Sequence, residues 1–150
     1  MANSAVVARH GSRTDVPQKG GRRWKEVARA ILIIAAIIEI VFRGLPSLFG
    51  SEPIAKLFGL EYIPSALVYV HPLGALMLVF GVAFYMASKD PVKYRFIIDL
   101  GILRYALTAV SHVITLVMLG SMTTFWYAHL VVDVVLLVLF IVSRPKTAAT

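Results

Sequence analysis

Hydrophobic side chains are concentrated in four long stretches of the chain. Each stretch has close to the ~20 residues that an α-helix needs to cross a hydrocarbon core of about 30 Å. A helix also satisfies its own backbone hydrogen bonds, as a membrane span requires. The pattern therefore predicts an all-α integral membrane protein, a bundle of four transmembrane helices. The predicted spans are about 27–47, 65–87, 96–119 and 125–143.

Residues that typically end helices lie at or just after the end of each stretch. They are Gly44 and Pro46, then Lys89-Asp90-Pro91, then Gly120, and finally Arg144-Pro145. The connection between the first two spans is long for a helix hairpin. Within it, Ser51-Glu52-Pro53 has the order of a helix N-cap followed by an acid and a proline in the first turn. This order favours a short helix on the outer surface, and an ordered loop is the alternative.

The basic residues predict the orientation. Residues 1–26 are polar and basic and lack the short apolar core of a signal peptide, so we expect a flexible cytoplasmic tail. The second connection and the tail 144–150 are also basic, whereas the outer connections contain only Lys56. The positive-inside rule then places both termini in the cytoplasm, N-in and C-in, which fits four spans in the plasma membrane.

Composition agrees with this class of protein. Of 150 residues, 59% are hydrophobic and 15% are charged, against about 45–50% and about 25% in soluble domains. The mean hydropathy is +0.80. These values exclude an ordinary cytosolic enzyme, and the absence of cysteine excludes disulfides and thiolate metal sites. The net charge of +7 arises at the flanks of the spans, which predicts contact with the lipid bilayer rather than with nucleic acid.

Several ionisable residues lie inside the predicted spans, where they are costly and usually face the bundle interior. With a helical rise of about 1.5 Å per residue, five of them lie about 8–13 Å from the outer ends of their helices. We expect these five to form one layer, and they are the candidate ligand or metal-binding residues. They are Glu39, His71, His112, His129 and Asp133.

Spacing suggests structural roles for some of these groups. Glu39 and Arg43 are four residues apart, in the favourable order for an ion pair within a helix. Asp133 is four residues after His129, so it either orients that imidazole or shares a metal ion with it. A buried ion pair between Arg104 and Asp133 across the bundle is a further alternative.

Small and polar residues follow helical stripes in the second and third spans. Arg104, Thr108, Ser111 and Thr115 form one such stripe. Gly74 and Gly81 lie on another, where a neighbouring helix can approach closely.

Three kinds of ligand fit such a layer. A metal ion would take some subset of the five candidates, although no spacing-coded metal motif is present. A b-type haem would need two facing histidines, such as His71 and His112. A quinone needs an apolar cleft, a hydrogen-bond donor such as histidine, and a nearby carboxylate.

The second span starts His71-Pro-Leu-Gly-Ala-Leu, with Gly81 and Tyr85 after it, and the last span contains Asp133. On these residues, about 27–143 resembles the DoxX/BphX-like group of small four-helix membrane proteins. The resemblance implies a link to quinone-dependent oxidation or to membrane oxidoreductase complexes. It assigns no catalytic residue, and the long basic N-terminus departs from the group.

Two other groups share features with this chain. Small multidrug exporters have a similar size and a glutamate in the first helix, as Glu39 is here, but their connections are shorter and their charge bias is often weak. Membrane enzymes of glutathione pathways have a similar size and span count. Their helices carry an Arg- and Asn-rich pattern that is absent from this sequence.

Three functions follow as hypotheses. The first is an accessory subunit of a membrane redox complex, with a quinone or metal site in the outer half. The second is a proton-coupled transporter of a small solute, in which Glu39 and Asp133 titrate and Arg104 is the counter-charge. The third is a structural assembly subunit whose polar residues hold helices together. Partners would be other membrane subunits or a second copy of the chain.

Overall fold

Every regular element in the described part of the chain, residues 19–57 and 61–144 of this computed structural model, is helical. The elements in chain order are α1 (Lys19–Ile37), a π-helix (Ile38–Gly44), α2 (Leu45–Phe49), α3 (Ser51–Leu57), a 3-10 turn (Pro64–Ala66), α4 (Leu67–Lys89), α5 (Arg95–Leu119) and α6 (Thr124–Ser143).

Four helical segments within these residues are long and apolar enough to cross a membrane, which confirms the predicted number. They are Arg23–Phe49, Pro64–Lys89, Arg95–Leu119 and Thr124–Ser143. Helix α1 already begins at Lys19, so residues 19–26 are helical rather than part of a flexible tail. The rest of that predicted tail, and residues 145–150, lie outside the described residues.

The first segment continues through Gly44 and Pro46, where the sequence suggested an end. The π-helix makes this continuation possible, and its last turn is closed by a bond from Leu45 N–H to the Ile40 carbonyl, five residues back. Proline lacks an N–H for the usual bond to the carbonyl four residues earlier. A wider turn just before Pro46 accommodates that loss, and the helix ends only at Gly50.

The other ends follow the predicted signals. Helix α4 stops at Lys89, two residues before Pro91. Helix α5 ends at Leu119 and is followed by Gly120, whose φ of 71° is left-handed and suits a residue without a side chain. The predicted short helix of the first connection is present as α3, Ser51–Leu57.

Helix α1 and the π-helix pack against α4, α5 packs mainly against α6, and α1 also meets α6. Gly74 and Gly81 allow the first helical segment to pack closely against α4, as their spacing predicted. A Cβ on Gly81 would overlap Ile40, and one on Gly74 would lie 2.8 Å from the Ser47 Cβ. The polar residues of the π-helix are thereby held close to α4 in the middle of the bundle.

An aromatic cluster fills the core towards the end of the bundle where α1 begins. Phe84, Tyr105 and Phe140 are fully buried. The Phe140 ring centroid lies 5.0 Å from that of Phe84 and 5.4 Å from that of Tyr105, with both pairs edge to face. This geometry is the preferred one for aromatic pairs. The cluster fixes Tyr105, whose hydroxyl group belongs to the polar site described below.

Gly101 provides space for this cluster, and its replacement by alanine is expected to lower the free energy of unfolding by about 1–3 kcal/mol. A Cβ there would overlap the Phe140 ring and lie 3.1 Å from Phe84 Cε1. Since both rings are fully buried, neither can move aside. Unfolding of detergent-purified protein by increasing SDS measures the change.

The matched test introduces Gly101→Ala in a Phe140→Leu background, where the smaller side chain leaves room for the methyl group. We expect Gly101→Ala to cost clearly less in that background than in the wild type. An equal cost in both backgrounds would contradict a steric origin.

Candidate functional site

A buried cluster of charged side chains connects three helical segments in the middle of the bundle. Glu39 and Arg43 come from the π-helix, Arg104 from α5, and Asp133 from α6. The side chains of Glu39 and Asp133 are 0% exposed and that of Arg43 is 4% exposed. Two guanidinium groups and two carboxylates have formal charges that cancel, which is a condition for burying ions at tolerable cost.

Glu39 is the centre of this cluster. Its Oε1 accepts hydrogen bonds from Arg104 Nη1 at 2.7 Å, Tyr105 Oη at 2.9 Å and Arg43 Nη1 at 3.3 Å. Its Oε2 accepts from Arg104 Nη2 at 2.6 Å. The contact with Arg104 is therefore a bidentate, charge-assisted pair, the strongest geometry available to these groups. The Glu39 carboxylate is held in one orientation by donors from two helical segments.

Arg104 reaches Glu39 across two aromatic rings. Its guanidinium carbon lies 5.1 Å from the Phe80 ring centroid and 5.0 Å from that of Tyr105. Guanidinium groups at such distances gain a cation–π attraction. The rings of Phe80 and Tyr105 thus help to position the Arg104 guanidinium group.

Asp133 has a different environment from Glu39. Arg43 Nη2 lies 2.6 Å from its Oδ1, which makes an ion pair. Both carboxylate oxygens are buried, and within residues 19–57 and 61–144 no contact to either of them has the geometry of a hydrogen bond. His112 also lies near this carboxylate, with its Nδ1 3.7 Å from Oδ2.

His112 is oriented by its own helix. Its Nδ1 lies 2.9 Å from the Thr108 carbonyl oxygen. Because a carbonyl oxygen only accepts, we assign a hydrogen to Nδ1. A row of ring contacts then leads from His112 through Trp126 to His129, with centroid distances of 5.7 and 5.9 Å.

His129 lies beside an open groove between the π-helix and α6. The groove has a volume of about 270 Å³. Its polar lining residues are Arg43 and His129, and Phe125 packs on the imidazole with a centroid distance of 4.5 Å. The remaining lining residues are Ile38, Phe42, Ala128 and Val132. The groove is an apolar slot with two nitrogen-bearing side chains in its wall.

The structure brings together most, but not all, of the residues predicted from the sequence. Glu39 and Asp133 belong to the buried cluster. His112 lies at its edge, with Nδ1 3.7 Å from Asp133 Oδ2, and His129 lines the adjacent groove. His71 does not join them, because it is exposed on α4. Within residues 19–57 and 61–144 no group of three or more His, Asp or Glu side chains is placed to hold a metal ion.

The partners of the arginines also differ from one expectation. Arg104 pairs with Glu39 rather than with Asp133, and Asp133 pairs with Arg43. The predicted pair of Glu39 and Arg43 is present at 3.3 Å. Tyr105 was missed, since a single tyrosine in an apolar helix carries no signal of its own. Its position directly after Arg104 was the available clue.

No protein-family model, curated protein or solved structure matches this chain. The resemblance to the DoxX/BphX-like group therefore stays a prediction.

Proposed function

We propose that this chain is a multi-pass protein of the plasma membrane, with its four long helices inserted and both termini in the cytoplasm. The outward faces of these helices support insertion, since they are rich in exposed apolar side chains such as Val79, Leu107 and Val131. The concentration of basic residues before the first span, between the second and third, and after the fourth supports the orientation.

We further propose that the chain binds a quinone in the groove between the π-helix and α6, as an accessory subunit of a membrane redox complex. The observation that carries this proposal is the lining of the groove. Flat apolar walls from Phe42 and Phe125 suit a quinone ring, and the nitrogen-bearing side chains of His129 and Arg43 suit its carbonyl oxygens. Small-molecule sites commonly combine an apolar wall with a few placed polar groups.

In this proposal the groove binds the quinone, and a neighbouring subunit exchanges electrons with it. The DoxX/BphX-like resemblance points to the same chemistry. The proton-coupled transporter is less well supported, because four donor contacts already hold the Glu39 carboxylate and Glu39 does not line the groove. The assembly function has support of its own, since the buried charged cluster joins separate helices.

Quinone binding can be measured by tryptophan fluorescence. The chain has two tryptophans, and the Trp126 ring centroid lies 5.9 Å from that of His129. In a Trp24→Phe background, Trp126 is the single reporter. A short-chain ubiquinone added to protein in mild detergent is expected to quench it with a saturable curve.

His129→Leu is expected to weaken quinone binding about tenfold, the effect of losing one hydrogen bond of about 1.4 kcal/mol. His71→Leu is the matched control, because it removes the exposed imidazole of α4 and should leave the affinity unchanged. Ala128→Phe is an independent test, because it fills the groove while keeping both polar groups. It should also weaken quinone binding. Unsaturable quenching, or equal losses in His129→Leu and His71→Leu, would contradict the site.

A further inference from the structure

A second cavity lies at the opposite end of the first span from the π-helix. It has a volume of about 300 Å³ and is open to the surface. It is formed where the start of α1 meets the end of α4 and the turn that follows. Its lining residues are Lys25, Glu26, Arg29, Ser88, Lys89, Asp90 and Pro91.

Cations from two helices surround this cavity. Lys25 and Arg29 are four residues apart, so they share one face of α1. Lys89 is the last residue of α4, and its Nζ lies 5.2 Å from the Tyr85 ring centroid. Three cations face two acids in the lining, which leaves one excess positive charge.

One of the two acids, Asp90, lies on the turn after α4 and already has a hydrogen-bond partner. The Asp90 Oδ1 accepts a hydrogen bond from the Lys93 backbone N–H at 3.2 Å and so closes the turn after α4. This carboxylate is thereby held to the turn backbone, and the excess charge of the lining remains available to an anion.

We infer that this cavity binds the phosphate group of an anionic phospholipid. Phosphate is the shared chemistry of a lipid headgroup and of free inorganic phosphate, and the position of the cavity favours the lipid. It lies where the candidate spans Arg23–Phe49 and Pro64–Lys89 begin and end, which is the level of the headgroups in a bilayer. Basic residues near such a surface attract anionic lipids.

This inference rests on the proposed membrane insertion but not on the quinone groove. The two can fail separately, since quinone binding is read at Trp126 and lipid binding at the other end of the bundle. Each is measured on the full chain in mild detergent.

The test is native mass spectrometry of the purified protein with phosphatidylglycerol and phosphatidylcholine present in equal amounts. We expect the wild type to retain phosphatidylglycerol preferentially. Arg29→Gln should reduce that preference about fivefold, as expected for losing one direct charged contact to the phosphate within the cavity. The double variant Lys25→Gln with Arg29→Gln should reduce it further.

Lys93→Gln is the matched control, because it removes one positive charge at the same end of the bundle but outside the cavity lining. It should leave the preference unchanged, and thermal unfolding should show that all variants fold. A similar loss in Lys93→Gln and Arg29→Gln would overturn a defined site. Calorimetric titration with inorganic phosphate separates the two sources: no binding is expected, and Arg29-dependent binding would overturn the lipid assignment.

Discussion

Replacement of Glu39 by leucine is expected to lower the free energy of unfolding by about 3–5 kcal/mol, the usual cost of removing one partner from a buried ion pair. Arg104 would lose a bidentate partner at 2.6 and 2.7 Å. The Tyr105 hydroxyl group would lose its acceptor at 2.9 Å. Asp133 would then be the single carboxylate in the cluster to balance Arg43 and Arg104. One excess positive charge would remain buried between the helices.

Unfolding by SDS, followed by circular dichroism of detergent-purified protein, measures this change. Glu52→Leu is the control, because Glu52 also pairs with a basic residue four positions away, but at an exposed site on α3. An exposed pair of this kind contributes about 0–1 kcal/mol. If Glu39→Leu cost no more than Glu52→Leu, the buried cluster would not hold the helices together.

The second large effect concerns Arg43 and Asp133, whose side chains lie 2.6 Å apart. Arg43→Met and Asp133→Leu alone are each expected to cost about 3–5 kcal/mol, since each leaves an uncompensated buried charge. The double variant should cost much less than the sum. It removes one cation and one anion together and leaves the Glu39–Arg104 pair neutral.

A double-mutant cycle on the same unfolding measurement gives the coupling directly. The comparison pair is Asp99 of α5 and Arg144 at the end of α6, which are 2.7 Å apart but with the arginine side chain 49% exposed. We expect the coupling there to be about 0.2–1 kcal/mol. Additive losses at Arg43 and Asp133 would show that they do not act as a pair.

The sequence predicted the helices well because the signal for them is local. A stretch of about twenty predominantly apolar residues predicts a membrane-spanning helix without any knowledge of its neighbours. The same holds for the closeness of α4 to the first segment, since Gly74 and Gly81 recur at helical spacing. The π-helix was not foreseen, because a pair of residues four apart looks the same in either type of helix.

The site was predicted only in part, because depth along a helix does not give its rotation. His71 was assigned a depth similar to that of His112, yet it is exposed on α4 whereas His112 reaches towards Asp133. The alternative pair of Arg104 with Asp133 was wrong for a related reason. Arginine side chains are long, so Arg104 reaches Glu39 although it is not among the five residues of the predicted layer.

The π-helix has a consequence for how the first segment meets its neighbours. Each residue of an α-helix turns the chain by about 100°, and a wider turn changes the rotational phase of everything that follows. Before it, Leu32 and Ala35 face the core. After it, Ser47 and Leu48 meet α4 at Gly74. Deleting Val41, between Ile40 and Phe42, would restore the α-helical turn. The residues after the deletion would then be rotated about the helix axis, and the side that packs against α4 would no longer face it.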